Sequence, residues 1–235
     1  STPWYVPPQQ WVDDRHRFLH EDLAPHLPLV VAQCASGIAL VGPQVSAQLH
    51  RTGEILGGIG MAAVGKFSEI EMLRIAGIRQ ADISAYLYSR TDVHAQSLAS
   101  WYSRHLGAAF ADPTTKPYEV QMALAELGTT SQTDAIFTID ADGTVSESVG
   151  PVILGANQDR TTRLQADLTE QQPLDEVVHT VTTRLGVPVD QMEVALLERG
   201  RGPRAFHRVD PGTGIRGRGE GAKHSQRRPR GTGRL

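Results

Sequence analysis

The stretch Leu29-Val30-Val31-Ala32-Gln33-Cys34-Ala35-Ser36-Gly37-Ile38-Ala39-Leu40-Val41 carries the pattern that decides the fold. It contains two short apolar runs, residues 29–34 and 38–41, and such runs favour β-strands. Between them stand three residues that end in glycine, a spacing typical of a turn between antiparallel strands. The sequence therefore predicts a β-hairpin in the first fifth of the chain.

Helices and further strands are predicted on both sides of this hairpin. Upstream, a helical pattern covers residues 9–24 and ends at Pro25, because a proline disfavours helix in the residue before it. Downstream, the Gly-rich apolar stretch 54–65 is compatible with one or two strands, and helical spacing follows over residues 66–89 and 93–110. The remaining pattern predicts strands at 119–124, 135–139, 152–154, 192–197 and 205–209, and helices at 157–170 and 174–185.

The order of these elements indicates the fold class. Paired strands alternate with paired helices, whereas a doubly wound parallel sheet alternates single strands with single helices. Two helix pairs can instead cover the outer faces of two packed antiparallel sheets. We therefore predict an α+β protein, a four-layer αββα sandwich with an extra N-terminal helix.

Charge divides the chain into a body and a tail. Residues 1–198 carry 12 Lys and Arg against 24 Asp and Glu, whereas the remaining 37 residues carry 11 against two. Because 205–209 is predicted as the last strand, the boundary moves to residue 210. We expect an arm at 1–8, one domain at 9–209 and a basic tail at 210–235 with too few apolar residues to order itself.

Composition also limits the cellular setting. The single cysteine, Cys34, excludes a disulfide framework and fits a reducing compartment such as the cytoplasm. No apolar run is long enough to span a bilayer, and no basic segment followed by an apolar run marks a secretory signal. We expect a cytoplasmic protein without membrane contact.

Two glycine-containing strings resemble nucleotide-binding motifs, but neither meets all the requirements of its motif. Residues 60–67 resemble a phosphate-binding loop, but Phe67 stands where the motif needs a hydroxyl, and the middle residues are apolar. A buried strand that leads into a helix fits these residues better. Residues 212–217 match the dinucleotide fingerprint by letter, but the strand, turn and helix that it requires do not surround them.

Few side chains have the spacing of a catalytic or metal site. His16 and His20 are four residues apart, as in a helical zinc site, but an arginine rather than a carboxylate follows His16, which favours a surface pair. Cys34 lies in an apolar strand and is expected in the core rather than as a nucleophile. Ser1 and Thr2 are candidates for an N-terminal nucleophile, although an arm and a helix precede the first strand. We expect no metal and no cofactor.

Short strings along the chain resemble the α subunits of bacterial proteasomes of the actinobacterial type. The most specific are Lys116-Pro117-Tyr118-Glu119-Val120 and the helix entry Ala62-Ala63-Val64-Gly65-Lys66-Phe67. The similarity covers about residues 4–209. Further matching strings are Asp14-Arg15, Leu49-His50-Arg51, Ala76-Gly77-Ile78, Tyr88-Ser89-Arg90, Ala125-Glu126-Leu127-Gly128 and Glu193-Val194-Ala195.

The resemblance implies a non-catalytic subunit of a 20S-type proteasome core. It implies the fold of N-terminal-nucleophile hydrolases, which is the sandwich predicted above, and heptameric outer α rings that enclose catalytic β subunits. Peptide hydrolysis would then take place in the β partner. Leu27-Pro28 stands where the β subunits begin with their nucleophilic threonine, and Pro43 stands where they carry an aspartate. We therefore expect no catalytic residue.

By the same resemblance, the N-terminal arm restricts substrate entry. Seven copies of the arm would converge at the ring axis, and proline removes N–H donors, so neighbouring copies need not share one hydrogen-bonded form. The gate residues implied in this way are Thr2, Pro3, Trp4, Tyr5, Val6, Pro7 and Pro8.

The resemblance also implies a docking pocket between adjacent α subunits for the C-terminal tails of a hexameric AAA+ ATPase activator. The matching positions are Arg51, Gly65 and Lys66. The family usually has lysine where Arg51 stands, and an arginine can also hold a carboxylate. A solvent-exposed surface charge is the alternative interpretation of Arg51.

Other interpretations stay open at this point. A helical stripe is predicted as core, although the long central helices of the family also meet the β ring; it consists of Leu98, Trp101, Tyr102, Leu106 and Phe110. The main functional alternative is a self-contained hydrolase that uses Ser1 or Thr2. A second functional alternative, which we do not expect, is nucleic-acid binding through the basic tail. Such binding would weaken steeply as the salt concentration rises.

Overall fold

The computed structural model describes residues 7–23 and 27–211 and contains two packed antiparallel sheets. In chain order the strands of this part are β1 (Leu29–Cys34), β2 (Gly37–Pro43), β3 (Thr52–Leu56), β4 (Ile59–Gly65), β5 (Val120–Glu126), β6 (Ala135–Ile139), β7 (Val145–Ser148), β8 (Val152–Leu154), β9 (Met192–Glu198) and β10 (Phe206–Val209). Sheet A has the order β10-β9-β2-β1-β8, and sheet B has the order β3-β4-β5-β6-β7.

Helices cover the outer face of each sheet. The α-helices of the described residues are α1 (Pro8–Leu23), α2 (Phe67–Leu87), α3 (Ala95–Ala111), α4 (Gln158–Asp167) and α5 (Leu174–Leu185). Helices α2 and α3 share one core cluster with sheet B, and α4 and α5 share another with sheet A. A third cluster lies between the two sheets. These clusters confirm the predicted four-layer αββα sandwich, with α1 as the extra helix.

Strand β1 shows why its sequence is apolar from Leu29 to Ala32. Alternate side chains of a strand point to opposite faces of the sheet. Leu29 and Val31 pack in the cluster between the sheets, whereas Val30 and Ala32 pack against α4 and α5. A strand that is covered on both faces needs apolar residues at every position.

Helices α2 and α3 approach each other closely at Gly77. A Cβ atom at this position would lie 1.8 Å from the Tyr102 hydroxyl oxygen, so only glycine fits. That hydroxyl donates to the carbonyl of Leu73, at 2.8 Å between the oxygens. Burial raises the pKa of Tyr102, which keeps the donor protonated.

Most local predictions are confirmed. Strands β6 and β8 and helix α5 have the predicted bounds, and the stretch 54–65 holds parts of two strands, with β3 starting earlier at Thr52. The near-phosphate-binding loop is the buried strand β4 followed by α2. Cys34 is buried, as expected for a core residue. The stripe on α3 is core at Leu98, Tyr102, Leu106 and Phe110, and Trp101 is partly buried.

Two further features, a membrane-spanning helix and a metal-binding cluster, are not found in the part of the chain that the structure describes. Within 7–23 and 27–211, no helix combines the length and the apolar character that crossing a bilayer requires. In the same ranges, no group of three or more His, Cys, Asp or Glu side chains is placed to hold a metal ion.

A titratable pair joins the start of α3 to the end of β5. The His94 Nδ1 atom lies 2.8 Å from a carboxylate oxygen of Glu126, whose other oxygen accepts the Ala95 N–H at 2.7 Å. The hydrogen bond to Glu126, followed by the attraction of its charge, raises the pKa of His94. A histidine whose pKa is raised in the folded state stabilises the fold below its unfolded-state pKa. This stabilisation is lost as the pH rises through the folded-state pKa.

We therefore expect His94→Gln to lower the melting temperature more at about pH 5.5 than at about pH 8.5. Thermal unfolding at both pH values measures the difference. The control is His179→Gln, at an exposed histidine of α5, for which we expect the same small effect at both pH values. An equal loss at both pH values for His94→Gln would contradict the proposed coupling to Glu126.

Candidate functional site

Helix α1, which follows the predicted gate arm, is anchored to the end of α3. The Arg15 guanidinium donates to the carbonyls of Phe110, Asp112, at 2.9 Å, and Thr115. The last carbonyls of a helix have no partner within the helix, and a cation is favourable at this end of the helix dipole. Arg15 also lies over the Trp11 ring, 4.5 Å from its centroid. Arg15 therefore links the middle of α1 to the end of α3.

We expect Arg15→Ala to destabilise the fold by about 2–3 kcal/mol, because hydrogen bonds from a charged donor are lost and carbonyls lose their partner. Urea unfolding measures the change in the free energy of unfolding. The matched control is Arg17→Ala, two positions further along α1 and on the other side of the helix, because Arg17 is exposed and pairs with the exposed Asp14 at 3.4 Å. We expect the control to change stability by less than about 0.5 kcal/mol. Equal effects of the two substitutions would contradict the anchor.

The C-terminal half of α1 lies over a cavity of about 720 Å³. Leu19 and Leu23 of α1 form one wall, and Leu27 and Pro28, which lead into β1, form another. The cavity opens to solvent, and Leu19 is nevertheless buried, in a cluster with Phe110 and Ala141. Apolar packing as well as Arg15 therefore attaches α1 to the end of α3.

The predicted gate residues fall mostly outside the described residues. Thr2, Pro3, Trp4, Tyr5 and Val6 belong to this group, and so do Ser1 and the tail residues 212–235 with their fingerprint-like string. Pro7 is exposed, and its carbonyl accepts the Trp11 N–H at 3.1 Å as α1 begins. The arm, the tail and their boundaries therefore stay predictions.

Arg51 is buried, with 5% of its surface exposed, so the interpretation as a solvent-exposed charge is wrong. Its guanidinium donates to the carbonyl of Leu27 at 2.5 Å and to the carbonyl of Pro43 at 2.6 Å. Burial lowers the pKa of Arg51, and the Glu193 carboxylate opposes this shift. Gly42 leaves room for the guanidinium, since a Cβ there would lie 3.1 Å from Nη2. In the isolated subunit, both terminal nitrogens of Arg51 are engaged with backbone.

A buried carboxylate fixes the backbone at Arg51. Glu193 of β9 accepts the N–H groups of Arg51 and Thr52, each at 3.2 Å, as well as the Thr52 hydroxyl. Arg208 of β10 donates to Glu193 at 2.8 Å and to the Thr52 carbonyl at 2.8 Å. We call this set of contacts the Glu193–Arg208 clamp. Because β9 and β10 belong to sheet A and β3 to sheet B, the clamp joins the edges of the two sheets.

Gly65 and Lys66 lie at the same end of sheet B as Arg51. The Arg51 carbonyl accepts the Ala63 N–H at 3.0 Å, two residues before Gly65 on β4. Gly65 has φ +127°, and a Cβ there would lie 2.0 Å from the Glu119 carbonyl oxygen. Lys66 is exposed and directly precedes α2. The structure thus brings the three predicted docking residues to one corner, in which Lys66 is the exposed cation.

Helix α2 exposes an apolar face that sequence reasoning missed. Its exposed large side chains Met72, Ile75, Ile83 and Tyr86 lie within about 80° of one another around the helix, at about 100° per residue. Two further exposed side chains, Leu87 and Tyr88, follow at its end. The signal is present in the sequence as spacings of three and eight residues. It was hidden because the opposite face of α2 is apolar as well, with Ile70, Leu73 and Ala81 in the core.

Comparison with known proteins agrees with this geometry. No family model matches the chain. The proteasome subunit alpha of Acidothermus cellulolyticus is 40% identical over 219 residues, which cover 88% of this chain and 94% of the relative. The proteasome subunit alpha of Streptomyces scabiei is 38% identical over 220 residues, 89% of each chain. That of a Nocardioides species is 36% identical over 221 residues, 90% of this chain and 87% of the relative.

These similarities run through almost the whole of both chains, and they accompany a sandwich of two sheets between two helix pairs. The resemblance of the short sequence strings, the observed fold and the full-length relatives all indicate the same family. This chain belongs to the family of proteasome α subunits.

Proposed function

We propose that this chain is a non-catalytic structural and gating subunit of a proteasome core. Seven copies form an outer ring, two outer rings enclose rings of catalytic β subunits, and a hexameric AAA+ ATPase docks on the outer ring. The observation that carries the proposal is that other residues precede the head of β1. Leu27 and Pro28 run directly into this strand, and α1 lies upstream of them. Membership in the α-subunit family supports the same assignment.

The head of β1 does not suit an N-terminal nucleophile. Such a nucleophile uses its own α-amine as the base, so it must be the first residue at the head of a core strand. In this chain the nitrogen of Leu29 is in a peptide bond with Pro28. Ser1 and Thr2 are separated from β1 by all of α1. The self-contained hydrolase is therefore the weaker candidate.

Hydrolysis of a fluorogenic peptide tests this choice directly. We expect no turnover by the purified chain alone and turnover after co-expression with the β subunit of the same organism. Replacing the nucleophilic threonine of that β subunit should abolish the activity, and Ser1→Ala or Thr2→Ala in this chain should leave it intact. Turnover by the chain alone that is lost on Ser1→Ala or Thr2→Ala would overturn the proposal.

The gate in this proposal is the arm of residues 1–8, held at the ring axis by α1. The anchoring of α1 by Arg15 supports it, because a steric obstruction needs a fixed base. The prolines Pro3, Pro7 and Pro8 limit the conformations of each arm. Seven arms then obstruct the entry, and the gate depends on bulk rather than on one shared structure.

The activator pocket in this proposal is the corner formed by Arg51, Gly65 and Lys66. Lys66 is exposed, so its ammonium can pair with the C-terminal carboxylate of an ATPase tail, and the absence of a side chain at Gly65 lets the backbone beside it pack closely against Glu119. One exposed ion pair contributes only about 0.2–1 kcal/mol. Several tails that bind the ring together reach a much higher affinity than one tail, because each later contact is intramolecular.

The contact with the β ring in this proposal is the apolar face of α2. Exposed apolar patches on soluble proteins mark interaction surfaces, and this face carries Met72, Ile75, Ile83 and Tyr86. The stripe on α3 cannot supply the same surface in full, because its side chains, apart from the partly buried Trp101, are in the core.

We expect Ile83→Glu to reduce co-assembly with the β subunit by about tenfold or more, because burying an unpaired carboxylate in an apolar contact costs several kcal/mol. The fraction of the chain that elutes with the β subunit in size exclusion measures the effect. Val189→Glu is the matched control, since Val189 is an exposed apolar residue outside α2. Equal elution of the two variants with the β subunit would contradict the assignment of this face.

A further inference from the structure

Four charged side chains lie together at the entry to α2, and we call them the corner charges. They are Lys66 and Glu69 at the start of α2, and Lys116 and Glu119 in the segment that leads into β5. Backbone hydrogen bonds join the two segments. The Lys66 N–H donates to the Glu119 carbonyl at 3.0 Å, and the Glu119 N–H donates to the Glu69 carboxylate at 2.7 Å. The corner charges are therefore one connected group of two cations and two carboxylates.

Lys116 pairs with both carboxylates of this group. Its ammonium makes an ion pair with Glu119 and lies 3.6 Å from a carboxylate oxygen of Glu69. The two carboxylate side chains are only 15% and 16% exposed, whereas half of the Lys116 side chain is exposed. The hydrogen bond to Glu119, followed by the attraction of the carboxylates, raises the pKa of Lys116, which keeps it charged.

Lys66 lies beside these ion pairs without taking part in them. Its side chain is exposed and is next to that of Lys116. Within residues 7–23 and 27–211, the carboxylates of Glu69 and Glu119 pair with Lys116 and not with Lys66. Lys116 therefore occupies the carboxylates that would otherwise be the nearest partners of the Lys66 ammonium.

We propose that Lys116 is a positioning residue of the activator pocket, which holds the two carboxylates of the corner charges and leaves the Lys66 ammonium available to an incoming C-terminal carboxylate. This inference rests on the proposed function. The corner charges sum to zero with Lys116 and would sum to −1 without it. Lys66 would then pair with the carboxylates of its own chain, and the net negative charge would repel the carboxylate of an activator tail.

The test uses the particle assembled from this chain and its β subunit, with the hexameric ATPase of the same organism as the probe. Degradation of a folded substrate is measured over a range of ATPase concentrations. We expect Lys116→Met to raise the half-maximal ATPase concentration about tenfold and to leave the rate at saturation unchanged, because small losses at each pocket accumulate over several tails. Lys116→Arg keeps the positive charge and should retain most of the affinity.

A rescue experiment separates this role from a structural one. In the Lys116→Met background, Glu69→Gln together with Glu119→Gln removes both negative charges but keeps an oxygen that can accept the N–H of residue 119. We expect the half-maximal concentration to return to that of the unmodified particle. The matched control is Arg201→Met. Arg201 is an exposed cation that pairs with Glu198 at 2.8 Å, and Glu198 lies opposite Gly37, at the turn end of the hairpin of β1 and β2. We expect no change for this control.

Several outcomes would overturn the inference. An unchanged half-maximal concentration for Lys116→Met would do so, and so would failure of the two glutamine substitutions to restore it. If Lys116→Met does not assemble, Glu119→Gln alone decides. It makes the sum of the corner charges positive and should lower the half-maximal concentration, so an unchanged value would contradict the role. Equal stimulation of Lys66→Glu and unmodified particles would reject the activator pocket of the proposed function, rather than the role of Lys116 alone.

Discussion

Deleting residues 2–8 is expected to raise peptide hydrolysis by the assembled α/β particle roughly tenfold, because removal of a steric obstruction increases access without changing the chemistry. The β subunit performs the reaction in both particles, so the maximal rate of its active sites stays the same. The increase should be seen in the rate at low peptide concentration. Fluorogenic peptide turnover by matched amounts of assembled particle measures it.

Deletion of residues 212–235 is the control for this experiment. It removes a longer segment from the other end of the chain, and we expect it to leave peptide turnover unchanged. An unfolded protein substrate should respond to the arm deletion in the same direction as the peptide. Unchanged turnover of both substrates after the arm deletion would contradict a gate formed by residues 1–8.

Lys66→Glu is expected to abolish ATPase-stimulated protein degradation and to leave the turnover of small peptides intact. The substitution places a carboxylate where the C-terminal carboxylate of an activator tail would bind, and like charges repel. Because all subunits of the ring carry the change, the loss accumulates over every tail, and stimulation should fall by more than about tenfold. Degradation of a folded substrate with ATP and activator, compared with peptide turnover, measures the effect.

Arg163→Glu is the matched control, since it makes the same charge change on an exposed arginine of α4. Equal ATPase stimulation of the Lys66→Glu and unmodified particles would contradict the assignment of Lys66 to the docking pocket. Arg51→Glu is unsuitable for this purpose. It would place a second carboxylate at a buried site beside Glu193 and leave the Leu27 and Pro43 carbonyls without their donor, so it would disturb the fold before it tested docking.

The layers of the sandwich were predictable because their signals are local. The helical period of α5 and the apolar run of β6 each lie within a few positions, and both elements have the predicted bounds. The hairpin of β1 and β2 follows from two apolar runs and a glycine in the same way. Whether the stretch 54–65 held one strand or two was left open, because Gly57 and Gly58 between the apolar residues fit either case.

The chemistry of the corner was not predictable in the same way. Arg51 is buried because of Glu193, which lies 142 positions away in the chain, and because of the Leu27 carbonyl, 24 positions away. No local pattern marks these contacts, so the choice between docking residue and surface charge rested on resemblance alone. The anchoring of α1 by Arg15 was not predictable for the same reason, since the partners of Arg15 on and after α3 are about 100 positions away in the chain.

Negative-stain electron microscopy of this chain, alone and with its β subunit, tests the central claim most directly. We expect stacks of four seven-membered rings after co-expression, in which the outer rings consist of this chain and the inner rings of the β subunit. Monomers or dimers under both conditions, with peptide hydrolysis by the chain alone that depends on Ser1 or Thr2, would contradict the claim.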